Sequence, residues 1–357
     1  MRRLGSKLSA RFGSAPKVDS TWVTFLQDSY AEVATLLQST EPAPNEQLRN
    51  KMVEISEALT QFKEFFLPTT TASDKDLPTA ESVDALVPLF ASDAVIPPML
   101  THFHLLEFES KRDTMDLFNF LLHRKVGSRF PIVKYLAANP PTLYLLFNQY
   151  GKEEIMVHCG TMLRQCLRYK RLAKLLLGMP EFFVFFERIQ SPDFGVSSDQ
   201  LATFKELLLT HPEETVSFLE QHHDKFFESY RALITSENFV IKTQSLELLV
   251  QLVRRIMPPA MAQRWLDDAE HLKLVMGFLR DKSESVRTAA FAIFSMFTTD
   301  PSPPVLLILQ RNRERLINYF EGLQRKVEEE EENKAFELEK GFILSQLNRL
   351  PKEGENS

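Results

Sequence analysis

Catalysis and metal binding need nucleophiles, proton carriers or ligands at fixed spacings. In this sequence the eight histidines, the two cysteines and the paired carboxylates could supply them. His222, His223 and Asp224 are consecutive, a composition that would suit a metal ion or a general base. Neighbouring helix positions diverge, so the three cannot converge on one centre, and they are expected on a polar helix face. His102 and His104 are two apart and would face different sides of a helix, and His158 beside Cys159 has no second ligand pair. Cys159 and Cys166 lie seven apart in a helical stretch, which separates their Cα atoms by about 10 Å. A disulfide needs less than about 7 Å, so both are expected to be buried small apolar residues in a reducing compartment. No calcium loop with alternating Asp and a central Gly occurs, and Asp267 and Asp268 read as a helix-end feature. There is no Gly-x-x-x-x-Gly-Lys-Ser/Thr loop, no dinucleotide fingerprint and no nucleophile elbow. The remaining carboxylate pairs read as solvated charge. No catalytic residue, cofactor or metal is expected.

Other elements must account for the bulk of the chain. Of 357 residues, 44% are hydrophobic and 25% charged, a globular composition that excludes a mostly disordered protein. Glycine is scarce at 11 residues, while phenylalanine is abundant at 29, enough bulk for a helical core. The 42 basic and 48 acidic residues leave a net charge of −6, which disfavours a dedicated nucleic-acid binder. No run of about 18 apolar residues exists, so no membrane span is expected. Residues 1–17 carry Arg2, Arg3, Lys7, Arg11 and Lys17, several serines and no acid. They read as a disordered basic tail, with a mitochondrial transit peptide as the alternative, and the chain is otherwise expected in the cytoplasm.

From Ser20 onward the apolar spacing is helical. Trp22, Phe25, Leu26, Tyr30, Val33 and Leu36 make one stripe, and Met52, Ile55, Leu59, Phe62 and Phe66 another. Pro131, Pro141, Pro180 and Pro192 punctuate helix starts, and Asn238 and Ser283 stand where N-caps belong. Five segments superimpose in sequence: Ser110–Leu122, Ile155–Leu167, Val196–Leu208, Val240–Leu252 and Ser285–Phe297, with starts 45, 41, 44 and 45 residues apart. Their ninth positions are Phe118, Leu163, Phe204, Leu248 and Ile293, and their thirteenth are Leu122, Leu167, Leu208, Leu252 and Phe297. A four-residue offset places both on one helix face. A period of about 40–47 residues built of helices is the armadillo/HEAT signature, so the expected fold is all-α, a helical-repeat solenoid forming a curved rod. Shorter helices, such as Pro180–Gln190 and Thr215–Gln221, fill each period. The expected organisation is a basic tail at 1–17, a scaffold domain at 18–324, and a segment at 325–357. That last segment comprises the acidic run Glu328–Glu332 as a joint, a capping helix carrying Phe336, Ile343, Leu347 and Leu350, and a disordered end.

A stacked rod presents a concave surface for binding. On the helix after Asn238 the residues left over from the core are Phe239, Thr243, Glu247, Gln251 and Arg254. This stripe begins with an aromatic, a favoured binding anchor whose exposure the sequence leaves open.

The stretch from Leu121 to Leu323 resembles the calcium-binding protein 39 family of kinase scaffolds. The resemblance is carried by FESKRD at Phe108–Asp113, CGTMLRQCLR at Cys159–Arg168, LATFKELL at Leu201–Leu208, FLEQHHDKFFESY at Phe218–Tyr230, SENFV at Ser236–Val240 and HLKLVMGFLRDKS at His271–Ser283. It implies a horseshoe rod with no activity of its own and, despite the family name, no calcium role here. It also implies a monomer in a hetero-complex with a serine/threonine kinase or pseudokinase of the sterile-twenty class. The resemblance extends the implied partners to a liver-kinase-B-like or polarity-pathway kinase. A C-terminal pocket would take a Trp-Glu-Phe tail peptide, and Lys273 and Met276 stand at matching positions, with Gly277 in place of a family asparagine. The concave face would grip the kinase fold. There Phe194 matches, Phe239 replaces a tyrosine, and Arg311 and Arg315 replace lysines. Thr243 stands for an arginine, Glu247 for a lysine, Ile256 for an arginine, Pro259 for a phenylalanine and Thr161 for an isoleucine. Three positive charges are thus gone from that face and one negative is added, with Arg254 and Arg255 expected to compensate in part. The competing expectations are a repeat protein that binds nucleic acid and one that binds an organelle-imported partner.

Overall fold

The computed structural model describes residues 18–38, 44–68, 78–323 and 330–350. The basic stretch 1–17 and the ends of the acidic and C-terminal segments, 325–329 and 351–357, lie outside the described residues. The first of two compact units, Met1–Thr215, holds α1 (Ser20–Gln38), α2 (Pro44–Phe66), α3 (Ala80–Phe90), α4 (Ile96–Thr101), α5 (Phe108–His123), α6 (Pro131–Ala138), α7 (Pro140–Gln149), α8 (Met156–Leu167), α9 (Lys170–Leu177), α10 (Val184–Ile189) and α11 (Phe194–Thr210). The division falls in the first turn of α12 (Pro212–Ile234). The second unit, Val216–Ser357, continues with α13 (Phe239–Gln251), α14 (Pro259–Leu266), α15 (Ala269–Phe278), α16 (Glu284–Phe297), α17 (Pro303–Arg311), α18 (Arg313–Gly322) and α19 (Glu330–Arg349). Among the described residues there is no strand, only an isolated bridge between Val126 and Arg129 around Gly127, whose φ of 58° suits a residue without a Cβ. The chain is an all-α helical-repeat solenoid.

The repeat read in the sequence is the packing unit. Its five segments coincide with α5, α8, α11, α13 and α16, save that Ile155 precedes α8 and Leu252 opens the π-turn after α13, and the ten residues at the ninth and thirteenth positions are all buried. In the first unit α2 packs on α5, α5 on α8 and α8 on α11; in the second, α13 packs on α16 and α16 on α19. Each of these helices buries its apolar stripe against the next repeat, which one unit alone could not do. Asn238 accepts from the amides of Val240 and Ile241, and Ser283 from that of Val286, so both cap helices as their positions suggest. Asp193 and Asp268 cap α11 and α15 in the same way.

Two shorter helices differ from expectation. The segment from Pro180 opens with turns, and its helix is only Val184–Ile189. Thr215–Gln221 is part of the longer α12, which bends at His222, where φ is −126° and ψ 15°. α19 buries Phe336, Ile343 and Leu347, the Phe336 and Phe291 rings lie 5.0 Å apart, and Leu350, just past the helix, is half-buried. Cys159 and Cys166 are free and buried. Burial pushes the Cys159 thiol up to about 12 and Cys166 higher, which leaves neither reactive near neutrality. No helix among the described residues is long and apolar enough to cross a membrane.

Candidate functional site

The residues expected to form a tail-binding pocket occupy the end of α15, which starts at the Asp268 cap. Met276, Gly277, Leu279 and Arg280 form one wall of a cleft of about 240 Å³, and Asn312, Arg315, Leu316 and Tyr319 form the other. Met276 and Arg280 are one turn apart and so share a face. The Tyr319 hydroxyl donates to the Leu279 carbonyl, which ties α18 to the turn after α15. Burial raises the Tyr319 hydroxyl above its ordinary value, so it stays a neutral donor. The cleft therefore has an apolar floor of Met276, Leu279 and Leu316 beneath two exposed guanidiniums. Among the described residues no carboxylate lines it. Neither Arg280 nor Arg315 is ion-paired among the described residues. Such a site suits an apolar or aromatic group next to an anion.

The sequence split this site differently. Arg315 was expected on the concave face but lines the cleft with Met276 and Gly277. Lys273 does not line it: this exposed residue, one turn before Met276, pairs with Glu270 at 2.6 Å. Arg280 was missed, although its four-residue offset from Met276 was legible. Asn312, Leu316 and Tyr319 were missed because nothing local to them says which earlier helix they face.

Of the residues expected on the concave face, Thr161 and Phe194 belong to the first unit. The Thr161 hydroxyl donates to the Val157 carbonyl at 2.8 Å, and Arg164 donates to it at 3.4 Å. Phe194 opens α11 and is 62% exposed. The others belong to the second unit. Phe239 opens α13 and is 52% exposed, so this aromatic does not tuck into the neighbouring repeat. Glu247 is exposed, two turns further along the same helix. Thr243, between them, is only 8% exposed and its hydroxyl has no hydrogen-bond partner. It is therefore no part of an exposed polar stripe. The side chain is too short to bring a polar group out of the packed surface, as a long arginine stem could. Ile256 is half-buried in the π-turn Leu252–Ile256, and Pro259 is exposed at the start of α14. Arg311 is exposed at the end of α17.

The His222–His223–Asp224 triple is a second correction. His223 is 6% exposed rather than on an open face. Its Nδ1 donates to Asp224 Oδ1 at 3.0 Å, and Nε2 is buried without a partner. Arg264 of α14 donates to both Asp224 oxygens, at 2.8 and 2.7 Å. The His223 bond, then Arg264, holds the Asp224 carboxyl below the usual carboxylate range. α12 bends at His222, immediately before this buried residue, and helical spacing could not foresee the bend. Among the described residues no group of three or more His, Cys, Asp or Glu could hold a metal ion.

Comparison with known proteins bears on this geometry. The profile of the Mo25-like family matches residues 23–351. Calcium-binding protein 39-like of Homo sapiens is 34% identical over 343 residues, which is 96% of this chain and 97% of that protein. The Mo25-like protein of Schizosaccharomyces pombe is 38% identical over 247 residues, 69% of this chain and 74% of its own. Protein HYM1 of Saccharomyces cerevisiae is 29% identical over 289 residues, 77% of this chain and 71% of its own.

Proposed function

The chain belongs to the Mo25-like family, and we propose that it is a non-catalytic scaffold for a protein kinase or pseudokinase of the sterile-twenty class. The cleft between α15 and α18 takes the partner's tail peptide. The exposed aromatics Phe194 and Phe239, with Glu247, contact the kinase fold.

The observation that carries this reading is the cleft. Among the described residues it combines an apolar floor with two arginines outside any ion pair and no acid, the chemistry needed by a peptide that ends in aromatic and acidic residues. The scaffold activates by differential binding alone. Moving a kinase from one part in a hundred active to ninety-nine requires about 5.5 kcal/mol of preference for the active shape. An aromatic tail in the cleft supplies affinity without that preference, so the second contact, on the kinase fold, must provide the discrimination.

Affinity capture with wild type and with Met276→Ala, followed by identification of the bound kinase and assay of its activity, tests the proposal. Met276 is half-buried at the cleft, so the variant is expected to fold and to lose the kinase. A captured kinase whose activity is the same with and without saturating scaffold would sink the activator reading.

A further inference from the structure

At the opposite end of α15 from the cleft, a second hollow of about 310 Å³ is lined by α12, α14 and the start of α15. Phe227 and His271 give it aromatic walls, and Trp265 stacks on His271 at 4.5 Å and 15°. The partners of the two imidazoles assign their protons. His223 Nδ1 meets the Asp224 carboxylate at 3.0 Å, and His271 Nδ1 meets the Trp265 carbonyl at 2.9 Å. Each Nδ1 is therefore a donor, and each neutral ring keeps Nε2 as an acceptor. His223 lines the hollow although it is 6% exposed, and its Nε2 has no partner, an unfavourable state for a buried acceptor. Three carboxylates and two guanidiniums also line the hollow. Arg264 is committed to Asp224, which leaves the carboxylates of Glu228 and Asp268 and the guanidinium of Arg231, an excess of one negative charge. Among the described residues neither Glu228 nor Arg231 is ion-paired. The unmet groups are mostly acceptors, and among the described residues they do not converge on a metal ion. A cation that fits must bring its own N–H donors.

We propose that this hollow is a docking site for an arginine side chain of a partner protein, whose guanidinium lies against the Phe227 and His271 rings and donates to the Glu228 carboxylate and to the bare Nε2 of His223. A guanidinium is planar, carries donors along its whole edge and is more weakly hydrated than an ammonium. It therefore suits aromatic walls bordered by separate acceptors better than a lysine does. No residue of the cleft or of the expected concave face takes part, so the site stands or falls apart from the tail-binding reading.

The two tryptophans of the chain provide a local readout, since Trp265 backs the hollow and Trp22 belongs to the first unit. Full-length protein carrying fluorotryptophan is titrated with N-acetyl-arginine amide at constant ionic strength and followed by fluorine NMR. The Trp265 signal is expected to shift saturably while that of Trp22 stays in place. N-acetyl-lysine amide should bind about threefold more weakly. Glu228→Gln should weaken the arginine by about threefold, as should His223→Asn, which keeps a donor near Nδ1 and removes Nε2, and Arg231→Gln should strengthen it by about twofold. Glu228 and Arg231 are exposed, so their variants keep the fold whatever His223→Asn does. A Trp265 signal that arginine does not move, or an affinity that Glu228→Gln leaves unchanged, would overturn the proposal. Inorganic phosphate that moves the Trp265 signal, with binding weakened by Arg231→Gln, would make the hollow an anion site. Free arginine that binds more tightly than the blocked form would make it a site for a small molecule. Either result also overturns the proposal.

Discussion

Arg254 and Glu339, eighty-five residues apart, are joined by an ion pair across α16. The Arg254 guanidinium also donates to the Ala292 carbonyl and the Ser295 hydroxyl at 2.8 Å, and Ser295 donates to Glu339 at 2.7 Å. Arg254 stands in the π-turn that follows α13, so one side chain ties that turn to α16 and α19 within the second unit. Its charge is paired with Glu339 and so does not stand free to replace the cations that the family resemblance places on the concave face. The pair is partly exposed, which reduces its worth, but truncation also removes one donor from the Ser295 hydroxyl and one from the Glu339 carboxylate, which keeps Ser295. Arg254→Ala is expected to cost about 1 kcal/mol by urea denaturation. Coupling to Glu339→Gln in a double-mutant cycle should account for most of that loss. Additive single effects would show that the pair contributes nothing of its own.

Gly160, in the CGTMLRQCLR segment, has a structural rather than a binding role. A Cβ at this position would lie 2.4 Å from Asp199 Oδ2 and 2.7 Å from the Tyr150 ring. These atoms are fixed by a network in which Tyr150 donates to Asp199 at 2.6 Å, and Arg164 donates to Asp199 at 3.1 Å and to Thr203 at 2.8 Å. In a helix free of neighbours, Gly→Ala stabilises by about 0.5–1 kcal/mol. Here Gly160→Ala is expected to destabilise by about 2 kcal/mol, through overpacking and a broken buried network. The sign of the change in the urea midpoint decides the matter, and a gain in stability would mean that the network yields freely.

The contrast between Gly160 and the repeat core shows where legibility ended. Phe118, Leu163, Phe204, Leu248 and Ile293 were readable because burial in a stacked helix imposes a period that survives in one dimension. N-caps such as Asn238 were readable because the capping bond spans two or three residues. Gly160 needs Tyr150 and Asp199, and the cleft needs α15 and α18 together, relations that no local window holds. Met276 and Gly277 were reached through resemblance. Arg315 was reached the same way, but its place in the cleft was not legible, because its neighbours there come from a helix some 35 residues earlier. Thr243 misled for a different reason: helical spacing places a residue on a stripe but does not fix how deep that stripe sits.

Acid should loosen the first unit. Burial holds His102, His104 and His158 below the ordinary value of 6.5, and His104 and Lys152 oppose protonation of the first two to a smaller degree, as Lys111 does for His158. In the window between 6.5 and the lower folded values the unfolded chain binds more protons than the folded one, so stability falls as pH drops through it. Glu57 and Glu206 are raised by burial and act in the opposite sense, nearer their own ordinary value of 4.5. Urea midpoints at pH 7.5 and 5.5 should therefore fall for wild type and change less for a variant with all three histidines replaced by asparagine. An equal fall in both proteins would assign the acid sensitivity to other groups.

Partner choice is expected to rest on Glu247. It is exposed on α13, two turns beyond the exposed ring of Phe239, whereas Thr243 between them is buried and cannot meet a partner. The family resemblance places cations at both positions, so this face has lost the charge that would meet an acidic kinase surface. A carboxylate at a binding rim repels acids and favours a partner with Lys or Arg opposite it, and such charges select partners more than they add affinity. Glu247→Lys should weaken the native kinase and strengthen an acidic pseudokinase of the sterile-twenty class by about two- to fivefold each, the equivalent of roughly 0.5–1 kcal/mol. Because the residue is exposed, both changes should shrink as salt is raised. Titrating both proteins against both partners at low and moderate salt provides the comparison. Four affinities unmoved by the substitution would take partner choice away from this face and leave it to the cleft.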